Sequence, residues 1–271
     1  MTTRMIVEAG STARDGAPLV TQTYAGTVAE LGLNGGKLNL VTRDLLRAFN
    51  DALTAITERA DCRCVIVYGG TGRAFCAGSD IKEFAQIRQN ASEQKILFED
   101  MVMRRLAQLP MPTIAAIDGP ALGGGLELAL ACDLRILRRG IAVGLPESRL
   151  GGLAGNGSVR LTRLIGPART KEMLFTGRTL TEDEALAWGV VNQVADGSAL
   201  DAARALAATI ASRGPLSNRL GKKLVEAAQS LPLEASLSMS TIAQQEIFES
   251  DDLHEGVAAF FAKREPVFKG R

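Results

Sequence analysis

The sequence predicts an α/β fold, and three observations carry that prediction. Short uncharged apolar runs, Cys64–Tyr68 and Thr113–Ile117, have the length and β-branched content of buried strands. Longer stretches with apolar residues at helical spacing lie before, between and after them. Clusters of glycine and proline separate the two kinds of segment, so strands alternate with helices along the chain.

The elements follow in order. Gly26 to Leu33 alternates small or polar with apolar residues and meets Asn34-Gly35-Gly36, which reads as a strand and a turn. Thr42 to Ala60 places Leu45, Phe49, Ala52, Leu53 and Ile56 at helical spacing. The strand Cys64–Tyr68 ends at Gly69-Gly70-Thr71-Gly72. A helix is expected from about Ala91 to Leu109, closed by Pro110 and Pro112. Thr113–Ile117 is the next strand. After Gly123-Gly124-Gly125, the run Leu126–Cys132 reads as a short apolar helix. Arg135–Leu137 and Ile141–Val143 read as paired strands around Arg139-Gly140. From about Leu153 the pattern is mainly helical, interrupted by one strand at Val190–Val194. Beyond Leu200 everything reads as helix, so residues 1–200 are expected to form the core and 201–271 a C-terminal helical region. In the last helix Ser250 supplies a cap and Asp251-Asp252 an acidic first turn. Leu253, Val257, Phe260 and Phe261 form one stripe, closed by Lys263-Arg264, and the stripe is expected to dock on the chain's own body or on a neighbouring subunit. There is no internal repeat or low-complexity segment.

Composition narrows the function. The chain has 271 residues, 46% of them hydrophobic, enough for a sizeable core. Lys+Arg is 31 against Asp+Glu 30, so no global field favours nucleic acid or an anionic membrane. Met1 to Pro18 has no continuous apolar stretch of the signal-peptide kind. No apolar run approaches the roughly 18 residues a membrane span needs, and a cytoplasmic protein is expected. Four cysteines, at 62, 64, 76 and 132, are too sparse for a disulfide framework. Cys62-x-Cys64 has no second pair or nearby histidine to complete a metal site, and reads better as alternate residues leading into a strand. The single histidine, His254, makes Ser-His-Asp, histidine acid–base and histidine–metal chemistry hard to assemble. Chemistry then falls to carboxylates, lysines, backbone groups or a cofactor.

Glu127 is the first candidate. It sits in Ala121–Cys132, where every neighbour is apolar or glycine. A carboxylate shielded there is costly unless it is paired or has chemistry to perform, and burial would raise its pKa as an acid or base requires. A helix-surface glutamate or a buried ion pair would give the same local sequence. Gly123 to Gly125 would let backbone approach a ligand closely and open a helix whose free N–H groups favour negative charge; close helix packing is the alternative. Glu147 follows the apolar Ile141–Pro146, at a strand end where catalytic groups are common but solvated acids commoner. Ala77-Gly78-Ser79 is a tight turn of small residues, and Asp80 can cap the short helix after it. Its backbone N–H groups would suit an anion, or the segment is an ordinary loop. Phosphate motifs fail: Gly70-x-Gly72 has Phe75 where a third glycine belongs, Gly152-x-x-Gly155-x-Gly157 has the wrong order, and no P-loop pattern occurs.

Together these segments resemble the enoyl-CoA hydratase/isomerase (crotonase) superfamily. The matching stretches are Ala74–Phe84, Pro112–Ala129, Gly144–Gly151, Lys171–Gly177 and Glu255–Arg264, in the family's order, from about residue 24 to the end. The resemblance implies a crotonase-like spiral of ββα units, with the C-terminal helices serving trimers or dimers of trimers. It implies an acyl-CoA thioester as substrate, coenzyme A being part of that substrate, with no separate cofactor and no metal. Position by position, Ser79 and Gly124 would donate backbone N–H groups to a thioester oxyanion. Glu127 and Glu147 match the two glutamates of hydratases, Glu127 activating water for C3 and Glu147 acting as the acid at C2. The flanking Ala77, Asp80, Ile81, Lys82 and Gly123 would line the substrate, Lys37 and Lys82 would contact phosphates, and Phe260 and Lys263 would approach the adenine end. The family's Arg-Pro is replaced by Gly35-Gly36 before Lys37. Its Ile-Pro-Gly-Ala-Gly-Gly run is replaced by a shorter Leu153–Ser158, which brings Asn156 toward the substrate and puts acyl specificity in question.

A 2-enoyl-CoA hydratase is therefore the leading expectation. The alternatives are a carnitinyl-CoA-type dehydratase, which the Lys263–Arg271 tail resembles, a Δ3,Δ2-enoyl-CoA isomerase, and an RNA-binding relative. The last would need a lysine-studded helix face, whereas Gln86–Leu109 mixes Arg88, Lys95, Arg104 and Arg105 with Glu93, Glu99 and Asp100.

Overall fold

A three-stranded antiparallel meander starts the fold. In the computed structural model, which describes residues 5–12, 17–87 and 89–271, β1 (Met5–Thr12) pairs with β2 (Pro18–Ala25), and β2 with β3 (Val28–Leu33). Arg88 and part of the Met1–Pro18 stretch lie outside the described residues. From β3 the chain switches to parallel pairing. Thr42 caps α1 (Arg43–Glu58) by accepting from the Leu45 N–H, and α1 lays Leu45, Phe49, Ala52, Leu53 and Ile56 on the core. It returns the chain to β4 (Cys64–Tyr68), parallel to β3.

α2 (Ile81–Gln86) follows, and then a π-helical turn, Ser92–Ile96, runs directly into α3 (Leu97–Ala107). The expected helix over 91–109 is thus one helical path whose first turn is wider than an α-helix. β5 (Thr113–Ile117) pairs parallel with β4. Next come β6 (Ala121–Leu122), α4 (Gly124–Leu130), β7 (Leu134–Arg138) and β8 (Val143–Gly144). A 3-10 turn, Glu147–Leu150, leads into α5 (Gly155–Ile165) and α6 (Pro167–Thr176). β9 (Thr179–Leu180), α7 (Glu182–Trp188) and β10 (Gln193–Ala195) complete the sheets. The main sheet has seven strands, in the order β1-β2-β3-β4-β5-β7-β10; the second has three, in the order β6-β8-β9.

One expected pairing is corrected. Arg135–Leu137 and Ile141–Val143 do not form a hairpin. β7 is bonded on one side to β5 and on the other to β10, both parallel, so no edge is left for a returning strand. Gly140, at a φ of +78°, turns the chain out of the main sheet, and β8 pairs with β6 and β9 instead. This switch between sheets places the residues after β8 beside the start of α4.

α8 (Ala199–Ala211) packs on the main sheet through Ala199, Ala203 and Ala207, a stripe of small side chains that lets helix and strands approach closely. α9 (Pro215–Ala228), α10 (Leu233–Phe248) and α11 (Asp251–Phe261) follow, with a separate small core of Leu216, Leu220 and Ala243. Only Leu253 of the stripe on α11 is half-buried; the rest of it is exposed. Phe260 and Phe261 are each 79% exposed, and the buried residues of the helix are Asp252 and Ala259. The reason lies in the tail. The Asp252 carboxylate accepts from the Lys269 and Gly270 N–H groups at 2.6 and 2.8 Å, so the C-terminal segment occupies the inner side of α11. Among the described residues no helix is long and apolar enough to cross a membrane.

Candidate active site

The site is built on a contact between two backbone segments. Cys76 and Ala121 form a parallel bridge, and the Leu122 N–H donates to the Cys76 carbonyl at 3.0 Å. Gly125 then passes so close that a β-carbon on it would lie 2.0 Å from the same oxygen. This approach sets the first turn of α4 against the turn Ala77-Gly78-Ser79. A β-carbon on Gly124 would stand 3.1 Å from Ser79 Oγ, and one on Gly78 would stand 3.9 Å from the Gly124 nitrogen. On the other side of the turn, Val41 donates to the Gly78 carbonyl and Asp80 donates to the Val41 carbonyl, which leaves the N–H of Ser79 between them unused. Gly124 is the first residue of α4, where N–H groups have no partner within the helix. Among the described residues, the backbone N–H groups of Ser79 and Gly124 make no hydrogen bond.

Glu127 lies one turn into α4, three residues after Gly124, so the two share a helix face. Its side chain is only 7% exposed. Oε1 accepts from the Gly157 N–H at 2.7 Å. Gly157 stands in the first turn of α5, so the carboxyl meets the N–H-bearing end of that helix, an environment that favours its charge. Burial outweighs this and pushes the pKa from the ordinary 4.5 up to about 7; the nearby carboxylates of Glu99 and Glu147 add to the rise, and the Gly157 bond and Arg160 oppose it.

Glu147 arrives from the second sheet, at the start of the 3-10 turn after β8. Its Oε1 would lie 2.6 Å from a β-carbon on Gly123, a position at φ +53°, ψ −127° that L side chains rarely adopt. Gly123 thus supplies the space for the Glu147 carboxyl. Among the described residues Oε2 is buried with no hydrogen-bond partner, and burial raises the pKa of this group as well. Two carboxyls, one on the helix after β6 and one on the turn after its sheet partner β8, therefore converge on one glycine-lined corner, beside two unused backbone donors.

The other sequence-predicted residues divide. Ala77 lies in the turn, but its N–H is taken by the Leu38 carbonyl at 2.9 Å. Asp80 caps α2 by accepting from the Lys82 N–H at 2.9 Å, and Ile81 and Lys82 are exposed on its first turn. Lys37 is exposed on the loop that runs beside the same segment, its carbonyl accepting from the Arg73 N–H. Asn156 is at the start of α5, with its amide donating to Asp100 and its oxygen accepting from Arg160, each at 3.3 Å. Phe260 and Lys263 are not brought to this corner; Phe260 lines a pocket with Gly214, Ser217, Ile247 and Phe268, and Lys263 follows α11 at a φ of +51°. Of the basic residues on the 86–109 face, Lys95 is buried and paired with Glu83 at 3.0 Å, Arg104 is paired with Asp100, and Arg105 donates to Asn50 and Thr54. Each of these three cations has a partner within the chain.

Two contributors escape the sequence reading. Gly157 is the hydrogen-bond donor that holds Glu127, and the Gly155-x-Gly157 spacing at a helix start is the available signal. Glu99, on α3, turns a carboxyl toward Gly124 and Ser79. Its signal is its phase: Val102, Met103 and Leu106, three, four and seven residues on, are fully buried.

Comparison with known proteins agrees with the geometry. The family model for enoyl-CoA hydratase/isomerase matches residues 23–271. A Bacillus subtilis protein described as a probable enoyl-CoA hydratase is 38% identical over 248 residues, covering 90% of this chain and 95% of its own. The mitochondrial methylglutaconyl-CoA hydratase of Rattus norvegicus is 35% identical over 251 residues, covering 90% of this chain and 79% of its own. The crystal structure of enoyl-CoA hydratase from Bacillus anthracis superposes with a TM-score of 0.88 at 37% identity, covering 93% of this chain and 100% of that one. The chain therefore has the fold of these enzymes and belongs to the enoyl-CoA hydratase/isomerase, or crotonase, family.

Proposed function

We propose that this chain is an enoyl-CoA hydratase that adds water reversibly across the double bond of a 2-enoyl-CoA thioester. The observation that carries the reading is the meeting of two carboxyls whose pKa burial raises, Glu127 and Glu147, with the unused N–H groups of Ser79 and Gly124. In the forward direction the two N–H groups receive the thioester oxygen as it takes up charge, a contribution of roughly 10²–10³ in rate for each such donor. Glu127 orients the water and takes up its proton as oxygen bonds to C3. Glu147, whose pKa burial raises above the ordinary carboxyl value, acts as the acid that delivers a proton to C2. Dehydration runs the same transfers backwards. No metal or separate cofactor is needed for these steps; the coenzyme A belongs to the substrate. Exposed Lys37, Ile81 and Lys82, beside the Ser79 turn, are the groups we assign to the coenzyme A moiety.

The same proposal gives the exposed α11 a role. Phe260 and Phe261 stack edge to face, with centroids 5.7 Å apart, and are largely exposed. A second copy is the natural cover for such a face, and Phe260 and Lys263 would then reach a neighbour's coenzyme A. Light scattering should return the mass of three or six chains; the mass of one chain would contradict the assembly.

The raised pKa of Glu127 also fixes a sign for stability. The unfolded chain releases this proton near pH 4.5, while the folded chain holds it to about pH 7. The folded state binds more protons inside that window, so stability falls as pH rises through it, by about 3 kcal/mol at one pKa unit per 1.36 kcal/mol. Glu147 and Glu99 act in the same direction. Urea unfolding should accordingly find Glu127→Gln about 3 kcal/mol more stable than the wild type at pH 8 and close to it at pH 4. Equal stability at pH 8 would show that the carboxyl is not strained by burial.

For the reaction itself, crotonyl-CoA hydration followed by loss of enoyl absorbance is the direct assay. Glu127→Gln and Glu147→Gln should each lower turnover by about 10²–10⁴ with the fold retained. A protein that moves double bonds but never adds water would be an isomerase, and near-normal turnover in either variant would remove that residue from the mechanism.

A further inference from the structure

The proposed mechanism uses two carboxyls, and a third stands near Gly124 and Glu127. Glu99 stands in the first turn of α3, in phase with the buried Val102, Met103 and Leu106, so it points inward with them. Its Oε1 lies 3.5 Å from the place where a β-carbon on Gly124 would stand, and Ser79 Oγ lies 3.1 Å from that same place. Gly124 and Glu127 share one face of α4. An acyl thioester with its oxygen on the Ser79 and Gly124 amides would lie beside this Glu99 oxygen.

Among the described residues the Glu99 carboxyl makes no hydrogen bond, and unlike Glu147 Oε2 it is not sealed off. The charged and titratable groups around it are Lys95 from the π-helical turn, Glu83 from α2, Cys76 from the segment before the turn, and Glu127 from α4. Lys95 is already committed to Glu83 at 3.0 Å. Burial holds the Glu99 pKa above its ordinary value, with Lys95 opposing and Glu83 reinforcing the rise. Next to it on α3, Asp100 accepts from Asn156, which in turn accepts from Arg160.

A plain alkyl chain entering here strips the remaining water from Glu99 and returns nothing, whereas a hydrogen-bond donor replaces that water. A site with a polar group set to meet a substrate discriminates strongly against the analogue that lacks the partner. Like charge on Glu127 disfavours an acyl carboxylate in the same space. We propose that Glu99 is the specificity-determining residue of this site, and that the preferred acyl group is short and carries a neutral or cationic hydrogen-bond donor, such as a hydroxyl, on the carbons beyond C3. The inference rests on the reading of this corner as an acyl-CoA site, and not on which reaction follows.

Saturated acyl-CoA thioesters test it, because they bind without reacting. Calorimetry would compare chains of four, five and six carbons that end in methyl, hydroxyl or carboxylate, on the wild type and on Glu99→Leu and Glu99→Met. At one or more lengths the wild type should bind the hydroxyl form about tenfold tighter than the methyl form, with the carboxylate form weaker than the hydroxyl. In either variant the hydroxyl preference should vanish or reverse. Methyl binding as tight as hydroxyl at every length in the wild type would overturn the proposal. So would tightest binding of the carboxylate form, or an unchanged ratio in a folded variant. Because none of these ligands is turned over, absence of hydration activity would sink the proposed reaction and leave this ratio intact, while a ratio of one would sink the inference and leave the reaction.

Discussion

Everything in the site depends on how closely two stretches of backbone can approach. Gly125 runs against the Cys76 carbonyl at a distance that excludes any β-carbon, and that contact fixes α4 relative to the Ala77–Ser79 turn. From it follow the proximity of Gly124 to Ser79, the shared direction of Gly124 and Glu127, and the space at Gly123 that Glu147 fills. The three glycines of the triplet thus serve different ends. Gly123 accommodates a carboxyl, Gly124 leaves its N–H at the helix start, and Gly125 permits the contact. A side chain at any of the three would move a different part of the site.

The electrostatics are set by the same closeness. Bringing Glu99, Glu127 and Glu147 into one poorly hydrated corner makes each ionisation harder, and burial is the leading cause for all three. For Glu127 the N-terminal turn of α5 partly offsets this through Gly157, so the group titrates near neutrality and does not stay permanently neutral. That balance suits a group that must accept a proton in one direction and return it in the other. The cost appears as lost stability at alkaline pH, an example of a site held in a state the fold alone would not select.

Much of this is legible in the sequence, and the gaps have physical causes. The parallel strands β4 and β5 are uncharged apolar runs because both faces are covered, and the runs alone identify them. Glu127 stands out because its neighbours are all apolar or glycine. Glu147 does not, since its environment is made by a strand switching sheets, and only the family resemblance points to it. The false hairpin at Arg139-Gly140 comes from a turn signal that is real; what the sequence cannot show is that β7 already has partners on both sides from residues far away in the chain. The strands β1 and β2 escape a sequence reading because their apolar residues are interspersed with Thr, Gln and Glu. Glu99 is readable by its phase with Val102, Met103 and Leu106, but a single acid in a mixed-charge helix looks solvated. The exposure of α11 is ambiguous in the sequence because the tail that occupies its inner side has no regular pattern.

The central claim is that the Ser79 and Gly124 amides are left free to polarise a thioester carbonyl. Difference infrared spectroscopy on a bound enoyl-CoA carrying ¹³C at the thioester carbonyl reads that polarisation without depending on turnover, and Glu127→Gln can be used to hold the substrate unreacted. The carbonyl band should lie at clearly lower frequency than in free aqueous thioester, as two aligned N–H donors weaken the C=O bond. A band at the aqueous position in a complex shown to be saturated would mean that the two amides do not meet the carbonyl, and would contradict the claim.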